Sequence, residues 1–155
     1  MTRTMGRTGS GAGTQGFTLL ELLLVIAILG IIAGIFGWSL LGNLRATQLR
    51  DAATQLGADL RAARSVTLKS GQSTTVTTTL NASTYTVTRG ADTRTLNLPG
   101  GVQVSAQTAA AVQYRAPSGV TDGTGTIWTL RHPASGRLMQ VRIIGLTGKV
   151  ILNAN

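Results

Sequence analysis

The chain has 155 residues and no cysteine, and its 14 Lys and Arg against 5 Asp and Glu give a formal net charge of +9 at pH 7. This length allows one compact domain and one membrane segment. Without cysteine, neither a disulfide framework nor a thiolate metal site can form. The excess of positive charge favours anionic partners, such as lipid headgroups, acidic proteins or nucleic acid, and does not choose among them.

The N-terminal part of the sequence is a basic, glycine-rich stretch followed by a long apolar one. Residues 1–16 contain Arg3, Arg7 and no acid, and are interpreted as a flexible leader. Residues 22–38 are seventeen consecutive apolar residues, counting glycine, and with the flanking leucines they reach the roughly 20 residues needed to cross a bilayer. Residues 17–42 are therefore predicted to form a transmembrane helix. The arginines before it keep the N-terminus in the cytoplasm, so the rest of the chain is exported.

Residues 43–70 are predicted to continue this helix as an amphipathic segment. Apolar residues recur there at spacings of three and four, which predicts one buried stripe. The stripe consists of Leu49, Ala53, Leu56, Leu60 and Ala63. Since the first proline is Pro99, the span and this segment are predicted to form one helix from about Thr18 to about Lys69. Residues 70–72, Ser-Gly-Gln, are typical of a helix end.

Residues 71–155 are predicted to form a β-rich globular head. Segments rich in Thr, Val, Ile and Tyr favour strands on a half-buried surface. The predicted strands are residues 73–79, 84–89, 93–98, 102–105, 111–115, 126–131, 138–144 and 149–152. Their short connections require mostly antiparallel pairing, and a long loop is expected between Ser105 and Gly125. The predicted fold class is α+β, with a long N-terminal helix packed on a mostly antiparallel sheet or β-sandwich.

The most specific motif lies at the start of the apolar stretch. Residues 16–21 spell G-F-T-L-L-E. This arrangement resembles the prepilin signature of type IV pilins and of the pseudopilins of type II secretion. The resemblance implies a pilin-like fold, cleavage after Gly16 by a membrane-embedded prepilin peptidase, and methylation of the new amino terminus at Phe17. It also implies a single-pass protein among the lipids of the inner membrane, with its head in the periplasm or outside, that later joins other pilins or pseudopilins in a filament.

The same resemblance gives Glu21 a role in assembly. A carboxylate in hydrocarbon costs about 2.5 to 3.5 kcal/mol or more, so a cationic partner is expected. The amino group of Phe17 in a neighbouring subunit, created only by cleavage, would supply that cation and set the axial register of the filament. Alternatively, Thr18 and Glu21 are only a capping box at the helix N-terminus.

Two glycines inside the apolar stretch predict close helix packing. Gly30 and Gly34 form a G-x-x-x-G pair, which lets helix backbones approach closely. In a filament this pair would pack subunits together. The alternative is that glycine is simply frequent in membrane helices.

The segment after the span narrows the resemblance. Residues 52–77 resemble the start of the GspH/FimT group of minor pseudopilins through the pattern L-x-x-D-L-x-x-A-R. In this sequence the pattern consists of Leu56, Asp59, Leu60, Ala63 and Arg64. The resemblance implies a structural subunit of a type II secretion pseudopilus or a type IV pilus. Arg64 is expected to form no more than a surface ion pair with Asp59 or Asp51.

DNA uptake is an alternative function. Some FimT-like proteins bind DNA through a C-terminal Gly-Arg-x-Arg element, and four basic residues follow the last acid of this chain. They are Arg131, Arg137, Arg142 and Lys149. Phosphate contacts by these residues would make binding salt-dependent. The pairs at 136–137 and 148–149 both lack the second arginine of the element, so the four residues are retained only as alternative DNA contacts.

No catalytic site is expected in this chain. His132 is the only histidine, and Pro133 beside it indicates a turn. Without cysteine and with few carboxylates, the residues do not assemble a metal set or a catalytic triad, and no cofactor is predicted. Residues 11–16 spell G-x-G-x-x-G, but no strand precedes them, which excludes a dinucleotide site.

Overall fold

A computed structural model describes residues 18–121, 123 and 125–154. This part of the chain contains one long helix, one short 3-10 turn and nine strands. The chain divides into two compact units, Met1–Trp38 and Ser39–Asn155. The predicted leader, residues 1–16, and Phe17 lie outside the described residues.

The helix α1 spans Leu19–Ser70. At its start, the Thr18 hydroxyl accepts a hydrogen bond of 3.2 Å from the Glu21 N–H, and so supplies one of the acceptors that the first turn lacks. At its end, the Gly71 N–H donates to the Thr67 carbonyl at 3.1 Å, and Gly71 adopts a φ of +66°. A left-handed glycine just after the last turn is a common helix C-terminus. The helix bounds predicted from sequence are confirmed.

The N-terminal unit contains most of the apolar stretch of α1. Every residue from 18 to 41 is exposed, including Phe36 and Trp38, which are 71% and 87% exposed. By length and composition, this part of α1 is long and apolar enough to cross a membrane. The stretch therefore presents bare apolar surface on all sides.

In the C-terminal unit, one face of α1 forms part of the core. All five predicted stripe residues are buried, and Ala52, Gly57 and Thr67 are buried with them. A Cβ at Gly57 would lie 3.4 Å from Leu152 Cδ2 and 3.6 Å from Val150 Cγ1. The last strand of the chain therefore packs directly on α1 at this glycine.

Two antiparallel sheets make up the rest of the head. The strands are β1 (Thr74–Thr78), β2 (Thr84–Arg89), β3 (Asp92–Asn97), β4 (Gln103–Gln107), β5 (Ala111–Arg115), β6 (Val120–Thr121), β7 (Gly125–Arg131), β8 (Leu138–Ile144) and β9 (Val150–Ala154). A 3-10 turn, Pro99–Gly101, lies between β3 and β4. The first sheet has the order β3-β2-β1-β5-β6 and the second the order β4-β7-β8-β9. Neighbouring strands in both sheets pair antiparallel, as predicted.

The prediction of a long loop between Ser105 and Gly125 is wrong. β4 continues to Gln107, β5 lies where it was predicted, and β6 occupies Val120–Thr121. β4 reaches this length through a register shift between Val104 and Ala106, and a bulge of this kind interrupts the alternation from which strands are recognised. β6 has only two residues, too few to show any alternation.

One hydrophobic core joins α1 to both sheets. Its largest fully buried side chains are Trp128, Tyr85 and Tyr114. The Trp128 indole N–H donates to the Ala109 carbonyl in the β4–β5 connection at 2.7 Å, so its one polar group has a hydrogen-bond partner. The core thus fixes the C-terminal half of α1 to the head.

Candidate functional site

The predicted processing junction lies outside the described residues. Gly16 and Phe17 therefore keep their predicted roles in cleavage and methylation without a structural description. Glu21, four residues after Phe17, is described, and lies exposed in the first turn of α1.

Glu21 takes part in only half of a capping box. The Thr18 hydroxyl accepts from the Glu21 N–H, but among the described residues the Glu21 carboxylate has no hydrogen-bond or ion-pair partner. The carboxylate is therefore available to a group outside the described chain. The capping alternative and the assembly role of Glu21 are compatible.

The glycine pair of the apolar stretch is open. A Cβ placed on Gly30 or Gly34 would meet nothing within 4 Å. Glycine inside a helix costs roughly 0.5–1 kcal/mol relative to alanine, and no contact within the described chain requires it here. Without side chains at these two positions, the helix surface has a shallow groove where the backbone of another helix can approach.

Two hydrogen bonds join α1 to β2 and β3. The Tyr85 hydroxyl donates to the Asp59 carboxylate, and the Gln55 side-chain amide donates to the Asn97 carbonyl at 3.2 Å. Burial raises the pKa of Tyr85 well above its ordinary value, and the hydrogen bond to Asp59 raises it further. The tyrosine is therefore a neutral donor at physiological pH.

Arg64 does not form the ion pair expected from the sequence. Its Nε–H donates to the Gly119 carbonyl at 3.2 Å, and the Asp59 carboxylate accepts from Tyr85 instead. The expectation fails because the partners of both residues lie far along the chain, where the spacing on a helix gives no information. All five residues of the L-x-x-D-L-x-x-A-R pattern thus contribute to the packing of the head: Leu56, Leu60 and Ala63 are buried.

His132 joins the end of β7 to α1. Its Nδ1 accepts from the Ala134 N–H at 3.2 Å, so the proton belongs on Nε2, which donates to Gln48 Oε1 at 2.9 Å. The side chain is 5% exposed. The turn predicted beside Pro133 is present, and the imidazole fixes that turn to the helix.

The structure does not gather the four basic residues kept as alternative DNA contacts. All four are exposed, and Arg131 and Arg142 share the outward face of the second sheet. Arg131 pairs with Leu138 at one end of β8, whereas Arg142 pairs with Ile151 of β9. Arg137 lies in the β7–β8 turn, and Lys149 lies in the β8–β9 turn at the opposite end of the sheet.

Sequence reasoning missed Leu146, in the turn between β8 and β9. It has a φ of +61° and is 71% exposed. A non-glycine residue in the left-handed region is uncommon and costly for a bulky side chain. The only signal in the sequence is its place in Gly145-Leu146-Thr147-Gly148, where a large apolar residue lies inside a turn.

Comparison with known proteins gives two matches. The family described as the prokaryotic N-terminal methylation motif matches residues 12–37, a stretch that includes Gly16, Phe17 and Glu21. The structure is similar to the crystal structure of the type IV minor pilin FimU of Pseudomonas aeruginosa, with a TM-score of 0.54, 14% sequence identity, and coverage of 68% of this chain and 92% of that chain. No curated protein matches the sequence significantly. The predicted α+β fold, with one long N-terminal helix on antiparallel sheets, is confirmed.

Proposed function

Because the chain is type IV pilin-like in fold and carries an N-terminal methylation motif, we propose that it is a structural subunit of a type IV pilus or of a type II secretion pseudopilus. The observation that carries this proposal is the overlap of the motif with the exposed apolar stretch of α1, residues 18–41. Apolar surface on all sides of a helix is unstable in water and requires lipid or other apolar helices around it. The proposed role is structural and not catalytic.

In the proposed pathway, the apolar stretch is surrounded first by lipid and later by the apolar helices of other subunits. The apolar stretch first holds the precursor in the inner membrane, with the head on the far side, where the prepilin peptidase cuts after Gly16 and methylates Phe17. The same stretch then leaves the lipid for a filament made with other pilins or pseudopilins. The Glu21 carboxylate, without a partner among the described residues, pairs with the Phe17 amine of a neighbour and fixes the register.

A minor subunit of the GspH/FimT type is the more specific form of the proposal. Its support is the L-x-x-D-L-x-x-A-R pattern of residues 56–64. The pattern bears on the fold of the head, because each of its residues is buried or hydrogen-bonded there. Loss of protein secretion after deletion of the gene would assign the subunit to a pseudopilus, and loss of surface filaments would assign it to a pilus.

Mass spectrometry of the protein extracted from membranes tests the filament proposal. The expected mature chain begins at methylated Phe17 and is also present in filaments sheared from cells. A Gly16→Leu variant provides the control, since its bulk should hinder cleavage and leave the leader attached. A wild-type chain that keeps Met1, in cells with an active prepilin peptidase, would contradict the proposal.

DNA binding is the second candidate function. The observation in its favour is that Arg131 and Arg142 lie on the outward face of the second sheet, and among the described residues β4–β9 carry no carboxylate. Cationic sheet surface suits phosphate contacts, whose affinity falls steeply with salt. Retardation of duplex DNA by the full chain at low salt, lost on Arg131→Gln and Arg142→Gln substitution, would support it. No retardation at low salt would exclude it.

A further inference from the structure

Three segments meet where α1 ends. Leu68, in the last two turns of the helix, lies over Gly119: a Cβ there would be 2.9 Å from Leu68 Cδ2. Gly148, in the β8–β9 turn, packs equally closely on β5 and α1. A Cβ there would lie 2.8 Å from Tyr114 Cε1 and 3.6 Å from Arg64 Cδ. The C-terminal end of α1, the β5–β6 turn and the β8–β9 turn therefore form one continuous surface.

This surface exposes large apolar side chains. Leu68 is 50% exposed, Val120 is 36% exposed and Leu146 is 71% exposed. We name these three residues the end patch. Between α1 and the β8–β9 turn runs a groove of about 750 Å³, lined by Arg61, Arg64, Ser65, Leu68 and residues 147–150. Apolar side chains beside a groove are typical of a protein interaction surface.

Leu146 is the most informative residue of the end patch. Its left-handed backbone, with φ at +61°, is a conformation that glycine adopts without strain and leucine does not. The turn is nevertheless well defined, because the Gly148 N–H donates to the Ile144 carbonyl and the Ile144 N–H donates to the Lys149 carbonyl, both at 2.9 Å. The head thus holds the backbone of an exposed leucine in an unfavourable conformation. Strain of this kind concentrates where a residue serves binding.

The charges around the groove indicate which kind of partner fits it. The side chains that line it include Arg61, Arg64 and Lys149 and no carboxylate. A second copy of this chain is poorly suited, because it has 5 acids against 14 bases. Two of those acids already have partners: Asp59 accepts from Tyr85, and Asp92 lies 3.8 Å from Arg89.

We propose that the end patch and its basic groove bind an acidic surface of a different pilin-like subunit, one that brings apolar side chains to Leu146 and carboxylates to Arg61 and Lys149. Buried apolar contact at the centre with charged pairs at the rim is the usual anatomy of such an interface. The exposed leucines favour a protein over DNA, whose backbone offers phosphate but little apolar surface. The inference deepens the proposed function and depends on it.

Site-specific photocrosslinking in the producing cells tests the inference with the full chain. Benzoylphenylalanine is placed at position 146, at position 80 as a control, and at position 28 as a reporter of helix assembly. Leu80 is a matched control because it is also an exposed leucine in a turn, at 49%. Adducts formed on illumination are identified by mass spectrometry. Position 146 is expected to give an adduct with an acidic pilin-like protein, and position 80 is not.

Charge reversal gives the quantitative part of the test. Arg61→Glu with Lys149→Glu is expected to lower the adduct yield at position 146 by about ten-fold or more, since like charges then face each other, and to leave the adduct at position 28 unchanged. In a separate chain, Leu146→Gly should raise the melting temperature of the head and still reduce incorporation into filaments. If Leu146 had only a structural role, the Leu146→Gly substitution would not lower incorporation.

The outcomes separate the two proposals. An adduct at position 28 together with none at 146, or with only lipid, nucleic acid or a second copy at 146, overturns the acidic partner and leaves the filament role standing. An unchanged yield after charge reversal overturns it as well. Absence of adducts at both 28 and 146 overturns the filament role and the end-patch interaction together.

Discussion

The Tyr85 hydroxyl donates a hydrogen bond to the Asp59 carboxylate and thereby joins β2 to α1. Tyr85 is 1% exposed and Asp59 is half-buried, so this bond forms at the edge of the core. Tyr114 is a natural contrast, because it is also fully buried but its hydroxyl has no hydrogen-bond partner among the described residues. The two tyrosines make it possible to separate a hydroxyl that stabilises the head from one that does not.

Tyr85→Phe should lower the free energy of unfolding by about 1.5–3 kcal/mol, the range for a hydrogen bond to a charged group. Tyr114→Phe should change it by no more than about 0.5 kcal/mol or stabilise the head, since no bond is lost. Urea titration of the full chain in detergent measures both. A Trp38→Phe background leaves the buried Trp128 as the only indole reporter. Equal losses for the two variants would contradict the assigned role of Asp59.

Alkaline pH should destabilise the head through Tyr114. Burial raises the pKa of Tyr114 to about 12 from its ordinary 10.0, although the nearby Arg64 opposes the rise. Above pH 10 the unfolded chain loses this proton and the folded chain keeps it, so the stability contributed by Tyr114 is complete below pH 10 and is lost as pH rises to 12. The slope is about 1.4 kcal/mol per pH unit for one group.

Urea titrations at successive pH values, on wild type and Tyr114→Phe, measure this slope. All other titratable groups are common to both proteins, so the difference between the two curves isolates Tyr114. Parallel curves between pH 10 and 12 would show that Tyr114 does not hold its proton in the folded head.

Glu21→Gln should leave the chain in the membrane and lower its incorporation into filaments by about ten-fold or more, because a charge pair across a subunit interface loses one partner. The matched control is Asp51→Asn, which removes an exposed carboxylate from the same helix in the head. Membrane fractions and sheared filaments are compared by immunoblot. Normal incorporation of Glu21→Gln would reduce Glu21 to a residue of the helix N-terminus.

Gly30→Leu and Gly34→Leu should leave the head intact and lower incorporation by on the order of ten-fold, or about 1.4 kcal/mol, since a bulky side chain would prevent close approach of a second helix. Within the described chain a side chain at either position meets nothing within 4 Å. Gly42→Leu is a suitable control, because its Cβ is equally unobstructed but lies outside the G-x-x-x-G pair. Unchanged filaments would indicate that the pair reflects only the composition of membrane helices.

The features predicted well from the sequence are those that repeat locally. Leu49, Leu56 and Leu60 recur at helical spacing, and this alone identified the buried face of α1. The resemblance of residues 16–21 to a prepilin signature was likewise recognised from consecutive residues, and the methylation motif matches residues 12–37.

The contacts that the sequence did not predict join distant parts of the chain. Asp59 meets Tyr85 and Arg64 meets Gly119, and neither partner is marked by spacing on the helix. The positive φ of Leu146 was also hidden, because the backbone conformation of one turn residue follows from the strands on either side rather than from its own identity. Local patterns therefore specify the elements, and long-range packing specifies the surface that the head offers.

The contact at Gly57 has a consequence for how the protein is made. Ribosomes would produce the buried face of α1 about ninety residues before Val150 and Leu152, which cover it, and at 5–20 residues per second this delay is of the order of 5 to 20 s. Contacts separated so far along the chain also form slowly. The nascent head therefore stays open while it is synthesised, a state compatible with the export proposed above. Only release of β9 allows the core to close.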